Sequence, residues 1–205
     1  MFGSSSMYSN VKNLAASGKM VVVAINYRLT AFGFLATSAL GSADPRGVSG
    51  NYGILDQQLA LQWVQDNIAN FGGDPDSVTL IGQSSGGTSI FALLSSPASQ
   101  GLFHGAISLS GSPNMTIDLQ AAYAQNEALV SKHCPSTVES DVLACLYNMT
   151  AIDVAYIIPF SFNNAPALPI SPSGQFYPGS TLDLSFSFCN HFCRPSHCGW
   201  SDSDT

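Results

Sequence analysis

The chain has 205 residues, of which 45% are hydrophobic and only 9% are Asp, Glu, Lys or Arg, and it carries a net charge of −7. That length holds one domain with a substantial core, and the charged fraction lies far below the roughly 25% of an average protein. Six Lys and Arg in all leave no basic patch for nucleic acid. No uninterrupted apolar run of about 18 residues is present to cross a membrane.

The start, Met1-Phe2-Gly3-Ser4-Ser5-Ser6, lacks the charged head and apolar centre of a signal peptide. Met20-Val21-Val22-Val23-Ala24-Ile25-Asn26 is a continuous run of β-branched and small apolar residues, and reads as a strand buried on both faces. Residues 37–53 are rich in Gly, Ser, Ala and Pro and read as a surface loop. Residues 54–70 read as a helix whose apolar face carries Leu55, Leu59 and Trp63, with Ala60, Val64 and Ile68 beside them. Gly72-Gly73 and Pro75 stop it. A strand over 78–82, a helix over 85–95 and a short buried strand at 106–109 follow. Two further helices are expected at about 118–132 and 138–147. Strand, helix, strand, helix, strand means βαβ units, hence an α/β fold with a parallel sheet and helices on both faces.

The sharpest local signal is Gly82-Gln83-Ser84-Ser85-Gly86, which joins the 78–82 strand to the 85–95 helix. This is the sequence form of a nucleophile elbow, a sharp strand-to-helix turn that holds a serine in strained backbone. Such strain costs about 1–3 kcal/mol. Side chains two positions either side of the serine are expected to collide, which makes both Gly82 and Gly86 glycine. Ser84 then stands at a helix N-terminus, where N–H groups and the helix dipole favour an oxyanion. The backbone N–H of Ser85 is the expected oxyanion donor. In a parallel sheet this serine lies at the carboxyl end of a strand, where such sheets bind ligands.

Taken in order, Phe2-Gly3-Ser4-Ser5-Ser6-Met7-Tyr8, Asn26-Tyr27-Arg28-Leu29, Gly50-Asn51-Tyr52-Gly53-Ile54-Leu55-Asp56-Gln57, Phe71-Gly72-Gly73-Asp74-Pro75, the elbow and Ser110-Gly111-Ser112-Pro113-Asn114 carry a resemblance. Residues 2–120 resemble the type-B carboxylesterase and cholinesterase-like (lipase) family of α/β-hydrolases, and the similarity continues more loosely to about residue 178. The resemblance implies a partial α/β-hydrolase domain over 1–180, truncated at both ends. It implies Ser84 as nucleophile, Ser85 as oxyanion donor, a Cys134–Cys145 disulfide, and a buried structural ion pair between Arg28 and Asp56. The implied chemistry is hydrolysis of a small-molecule or lipid carboxylic ester through an acyl-enzyme, with no cofactor.

The chain departs from the family pattern in specific ways. The usual elbow is Gly-Glu-Ser-Ala-Gly; here Gln83 replaces the Glu and Ser85 the Ala, which argues against a choline-ester specialist. The family's glycine-rich oxyanion loop precedes the segment that Phe2-Gly3 resembles, and the family's acid and histidine lie further downstream. Glu127 and Glu139, the only Glu residues, fall on expected helices, and His104 and His133 read as structural or surface residues. The expectation is therefore an incomplete esterase of weak or no activity. The alternatives are a non-catalytic binding or adhesion module, or a fragment with no independent role.

Asn114-Met115-Thr116 and Asn148-Met149-Thr150 are N-glycosylation acceptor patterns. With the Cys134/Cys145 pair they point to an oxidising, extracellular compartment. Residues 181–205 read as an atypical Ser- and Cys-rich tail. Its Cys189, His191, Cys193, His197 and Cys198 match no zinc-ligand spacing, so no metal is expected.

Overall fold

A computed structural model describes residues 4–5, 11–114 and 116–158, and the backbone of 168–170. The 181–205 tail with Cys189, Cys193 and Cys198, and most of the segment before it, lie outside the described residues. The elements in chain order are α1 (Lys12–Gly18), α2 (Thr30–Phe34), α3 (Ser38–Ala43) and α4 (Tyr52–Asn67). They continue with β1 (Thr79–Gln83), α5 (Ser85–Ser95), β2 (Gly105–Leu109), β3 (Thr116–Asp118), α6 (Leu119–Val130), α7 (Glu139–Asn148), α8 (Ala151–Ile157) and β4 (Leu168–Ile170). β1 pairs parallel with β2, Thr79 opposite Gly105 through Gln83 opposite Leu109. β3 pairs parallel with β4. The β1–α5–β2 unit is thus the βαβ crossover that the alternation of strand and helix signals predicts.

Local chemistry explains most element ends. Asp74 accepts from the Asp76 N–H ahead of Pro75. Asp118 caps α6 by accepting from the Gln120 and Ala121 N–H groups, and Thr150 caps α8 through the Asp153 N–H. Each satisfies donors that a helix start leaves without an internal partner.

Four sequence expectations are corrected. Residues 20–26 join no ladder among the described residues, and their side chains are substantially exposed, Met20 at 49% and Val23 at 43%. A strand exists through its ladder. β1 and β2 pair with each other, and no described strand lies beside 20–26. Residues 37–53 are not a surface loop: they contain α3, and Thr37, Ala39, Val48, Ser49 and Asn51 are buried. The α4 face is rotated from the expected one: Val64 and Ile68 are buried and Leu55 packs on the core as expected, but Leu59 is 71% and Trp63 46% exposed. Its buried face is Ile54, Gln57, Gln58, Leu61 and Val64. Gln57 donates to Ser89 Oγ at 3.3 Å, and Gln58 donates to Ser96 and Ser99 Oγ at 2.8 and 3.0 Å. Hydrogen bonding makes those two amides tolerable inside. Last, the Arg28–Asp56 pair forms, with Nη2 to Oδ1 at 2.7 Å and Nε to Oδ2 at 2.8 Å, but the Arg28 side chain is 51% exposed. It is a partly solvated pair rather than a buried one, worth on the order of 1 kcal/mol or less.

The main core gathers Phe34, Ile54, Leu61, Ile90, Leu93, Phe103, Leu119 and their neighbours under β1 and β2. A second cluster of Ala31, Leu35, Val130, Leu146 and Ile157 surrounds Cys134, whose disulfide to Cys145 closes with the Cα atoms 5.8 Å apart. On a loop-entropy model a closure this short stabilises by about 2–3 kcal/mol.

Two stability measurements test this account. The Tyr123 hydroxyl is buried with no hydrogen-bond partner among the described residues, and an unpaired buried hydroxyl costs about 1–3 kcal/mol. Tyr123→Phe is expected to leave chemical denaturation unchanged or raise the unfolding free energy by about 1 kcal/mol; a loss above that size contradicts the burial. The second is pH. Hydrogen bonds from Arg46 hold the Asp44 carboxyl down to about 2, and those from Arg28 lower Asp56. The folded chain takes up these protons less readily than the unfolded one. The resulting stability is full above the ordinary carboxyl range near 4 and is lost as pH falls toward 2. Thermal midpoints measured from pH 5 to 2 are expected to fall, and Asp44→Asn to flatten that fall.

Candidate active site

β1 ends at Gln83 and α5 begins at Ser85, so Ser84 alone makes the turn. Its φ is 55° and its ψ −117°, a conformation L residues rarely adopt. The side chain is exposed at the carboxyl end of β1. Ser84 N donates to the Leu109 carbonyl at 2.8 Å, which ties the turn to the end of β2. The first helical bond is Thr88 N to Ser84 O at 3.0 Å. The N–H groups of Ser85, Gly86 and Gly87 therefore have no partner within the helix, and they cluster beside Ser84. That end of α5 attracts negative charge as it develops.

The turn is sharp because backbone packs on backbone. A Cβ on Gly82 would collide with the Gly86 carbonyl. A Cβ on Gly87 would meet Ser108 Oγ at 2.8 Å and Gly111 Cα at 2.9 Å. A Cβ on Gly86 would meet no described atom within 4 Å. The expected pair of obligatory glycines, 82 and 86, is corrected: the steric requirement falls on Gly82 and Gly87. The reason lies in the helix, where successive side chains are about 100° apart, so position 87 faces β2 and position 86 does not. Sequence reasoning also passed over the contacts that hold α5 to the end of β2. Ser108 Oγ donates to the Gly87 carbonyl at 3.1 Å, and the Ser112 N–H donates to Thr88 Oγ1 at 3.1 Å. Ser110, after β2, repeats the left-handed backbone with φ 54°. The signal available was the density of small residues in Ser108-Leu109-Ser110-Gly111-Ser112, which permits close approach.

Other sequence candidates lie elsewhere. His104 precedes β2, with its Nδ1 accepting from the Val78 N–H at 3.3 Å. That places it a full strand length, roughly 17 Å, from Ser84. His133 adjoins the disulfide. Glu127 accepts from the Ser38 N–H, and Glu139 accepts from Ser42 Oγ, which together with Ser38 lowers its carboxyl pKa. Both carboxylates serve α3. His191 and His197 lie outside the described residues. Asn114 and Asn148 are both exposed. No group of three or more His, Cys, Asp or Glu among the described residues is placed to hold a metal.

The geometry is that of an exposed serine at a sharp strand-to-helix turn of a βαβ unit, and comparison gives the chain a family. The model of the carboxylesterase family matches residues 1–185. The chain belongs to the carboxylesterase family. It is 51% identical over 120 residues to a para-nitrobenzyl esterase of Bacillus subtilis (strain 168), covering 58% of this chain and 24% of that protein. It is 38% identical over 207 residues to pyrethroid hydrolase Ces2a of Mus musculus, covering 97% of this chain and 35% of that one. The solved structure of a PNB esterase superposes with a TM-score of 0.70 at 36% identity, over 85% of this chain and 37% of that chain. The fold is accordingly a partial α/β-hydrolase fold. This carboxylesterase-family chain spans about a quarter to a third of the length of these relatives.

The glycine assignment is testable by paired substitution. Gly87→Ala overpacks a backbone contact and is expected to cost about 1–3 kcal/mol. Gly86→Ala, at an open helical position, is expected to be neutral or slightly stabilising. Equal losses in urea unfolding would refute the distinction.

Proposed function

We propose that this chain carries the nucleophile of a carboxylic ester hydrolase that works through a serine acyl-enzyme. The observation that supports this most directly is Ser84 itself: exposed, at φ 55°, between β1 and α5. A binding module has no use for that strained backbone, which costs about 1–3 kcal/mol. In the proposed cycle Ser84 Oγ attacks the ester carbonyl while its proton passes to a base. The Ser85 N–H holds the oxyanion, the alcohol leaves, and water releases the acid. The described residues supply the nucleophile and one oxyanion donor. His104 accepts from the Val78 N–H at the start of β2 and His133 sits beside the disulfide, so the base is expected from outside the described residues. One oxyanion donor is worth about 2.7–4 kcal/mol, and activity rises steeply as the other groups are supplied.

The same reading covers the chain's setting. The Cys134–Cys145 disulfide fits an oxidising, extracellular compartment. The exposed Asn114 and Asn148 are then glycan acceptors. The substrate is a small-molecule or lipid ester.

Joined to the family segments that supply a base and the remaining oxyanion donors, the chain is expected to be labelled at Ser84 by a neutral fluorophosphonate, with labelling abolished in Ser84→Ala. The chain alone is expected to hydrolyse p-nitrophenyl butyrate slowly relative to ordinary serine esterases. Absence of labelling in the folded, completed protein, or equal labelling of its Ser84→Ala variant, would reject the nucleophile assignment.

A further inference from the structure

Helix α4 sends two buried amides to α5, and they reach opposite ends of it. Gln57 donates to Ser89 Oγ, and Ser89 Oγ donates to the Ser85 carbonyl at 3.0 Å, at the first turn of α5. Gln58 donates to Ser96 and Ser99, beyond its last turn. At 1.5 Å per residue those ends lie roughly 16 Å apart. Both amides and the serines they bond are buried. Gln58 joins α4 to α5 and does no more. Gln57 joins them and also reaches, through one hydroxyl, the residue that follows Ser84.

The backbone of the elbow is held one peptide at a time. The Ser84 N–H bonds to the Leu109 carbonyl, and the Ser84 carbonyl accepts from the Thr88 N–H, which fixes the peptide plane carrying the Ser85 N–H. The next plane carries the Ser85 carbonyl on one side and the Gly86 N–H on the other. Ser89 Oγ bonds to that carbonyl. Gly86 gives this plane no packing of its own, since a Cβ there would meet nothing within 4 Å, and glycine backbone is the least restricted of any residue. The Ser89 hydroxyl is thus the side-chain restraint on the plane that follows the Ser85 N–H. A hydroxyl proton rotates to suit its neighbours. Gln57 Nε2 occupies the acceptor side of Ser89 Oγ and so turns its proton toward Ser85. Each bond in such a chain polarises the next, which makes the Gly86 N–H a stronger donor.

We propose that Gln57, acting through Ser89, is a positioning residue for the Ser84 reaction: it aligns and polarises the Ser85–Gly86 peptide so that the N–H groups at the start of α5 receive the oxyanion. The inference rests on the esterase reading of Ser84. Gln57 acts through another residue and not on the reacting atoms. Misdirecting these donors is expected to lower the rate roughly tenfold, short of the roughly hundredfold or larger loss when an oxyanion donor is deleted.

The test uses the chain joined to the family segments that supply a base and the remaining oxyanion donors. Its readouts are kcat and KM for p-nitrophenyl butyrate, and the inhibition constant of a neutral trifluoromethyl ketone. Ser84 Oγ adds to the ketone carbon, the carbonyl π pair moves to oxygen, and the serine proton goes to the base. The ketone therefore reports the oxyanion site without turnover. Gln57→Met, similar in size but without a donor, is expected to lower kcat roughly tenfold with KM little changed, and to weaken the ketone by the same factor. Gln58→Met removes an equally buried amide, and is expected to lower stability while leaving kcat and ketone affinity as they are. Ser89→Ala is expected to match Gln57→Met, and the two together to be no worse than either alone, because they act in series. Ser89→Thr, whose hydroxyl can reach the carbonyl four residues back, is expected to recover most of the rate lost in Ser89→Ala. If Gln57→Met does not fold by circular dichroism, the Ser89→Ala and Ser89→Thr pair reads the same relay. Equal effects of Gln57→Met and Gln58→Met on kcat overturn the inference and leave the esterase reading intact. So does a fall in kcat with unchanged ketone affinity, or full additivity in the double variant. Absence of fluorophosphonate labelling at Ser84 in the unsubstituted, completed protein overturns the esterase reading, and this inference with it.

Discussion

The structure turns on how closely the start of α5 approaches β1 and β2. Helix and sheet usually meet through side chains, which keep their backbones well apart. Here a Cβ at Gly82, Gly87 or Gly111 would run into neighbouring backbone or into Ser108. That absence of side chains lets α5 begin one residue after β1 ends, and it forces the intervening Ser84 to φ 55°. The cost of the strained residue is spread over contacts that are themselves favourable: Ser84 N to Leu109 O, Ser108 Oγ to Gly87 O, and Ser112 N to Thr88 Oγ1. A longer connection would relax the serine and lose the clustered N–H groups that suit the site to an oxyanion.

This constraint was legible in the sequence because it is local. Gly82-Gln83-Ser84-Ser85-Gly86 lies within one turn, and the strand and helix on either side of it follow from short-range pattern. The α5 bounds, and those of β1 and β2 to within a residue, agree with that pattern. What the pattern could not show was anything that depends on a distant partner. The β-branched run at 20–26 reports what those residues would bury in a sheet, not whether a strand lies beside them. Gly86 and Gly87 look alike in sequence, and only the direction each faces separates the open position from the crowded one. Likewise, the apolar spacing of Leu55, Leu59 and Trp63 has a helical period, so the helix was legible, but its orientation was not.

The orientation of α4 shows why. Hydrophobic spacing alone turns Leu59 and Trp63 inward. The structure instead turns Gln57 and Gln58 inward, because three serines on the facing elements accept from them: Ser89, Ser96 and Ser99. A buried amide without partners would cost several kcal/mol, whereas one fully bonded fixes a single register. Apolar packing tolerates sliding; these hydrogen bonds do not. The chain of donors also continues toward the site. Gln57 Nε2 donates to Ser89 Oγ, and Ser89 Oγ donates to the Ser85 carbonyl at 3.0 Å.

The elbow is therefore held from two sides by different physics. On the β2 side, glycine backbone packs against backbone, which sets how near α5 comes to the sheet. On the α4 side, the Gln57–Ser89–Ser85 relay sets how α5 is rotated about its axis. Rotation matters as much as distance, since it decides which way the Ser85 N–H points relative to the Ser84 hydroxyl. Neither restraint carries a charge, in keeping with the absence of Asp, Glu, Lys and Arg between Asp76 and Asp118. A site fixed by packing and neutral hydrogen bonds keeps its geometry across pH and ionic strength. The acid-sensitive pairs, Arg28–Asp56 and Asp44–Arg46, lie outside that stretch of sequence.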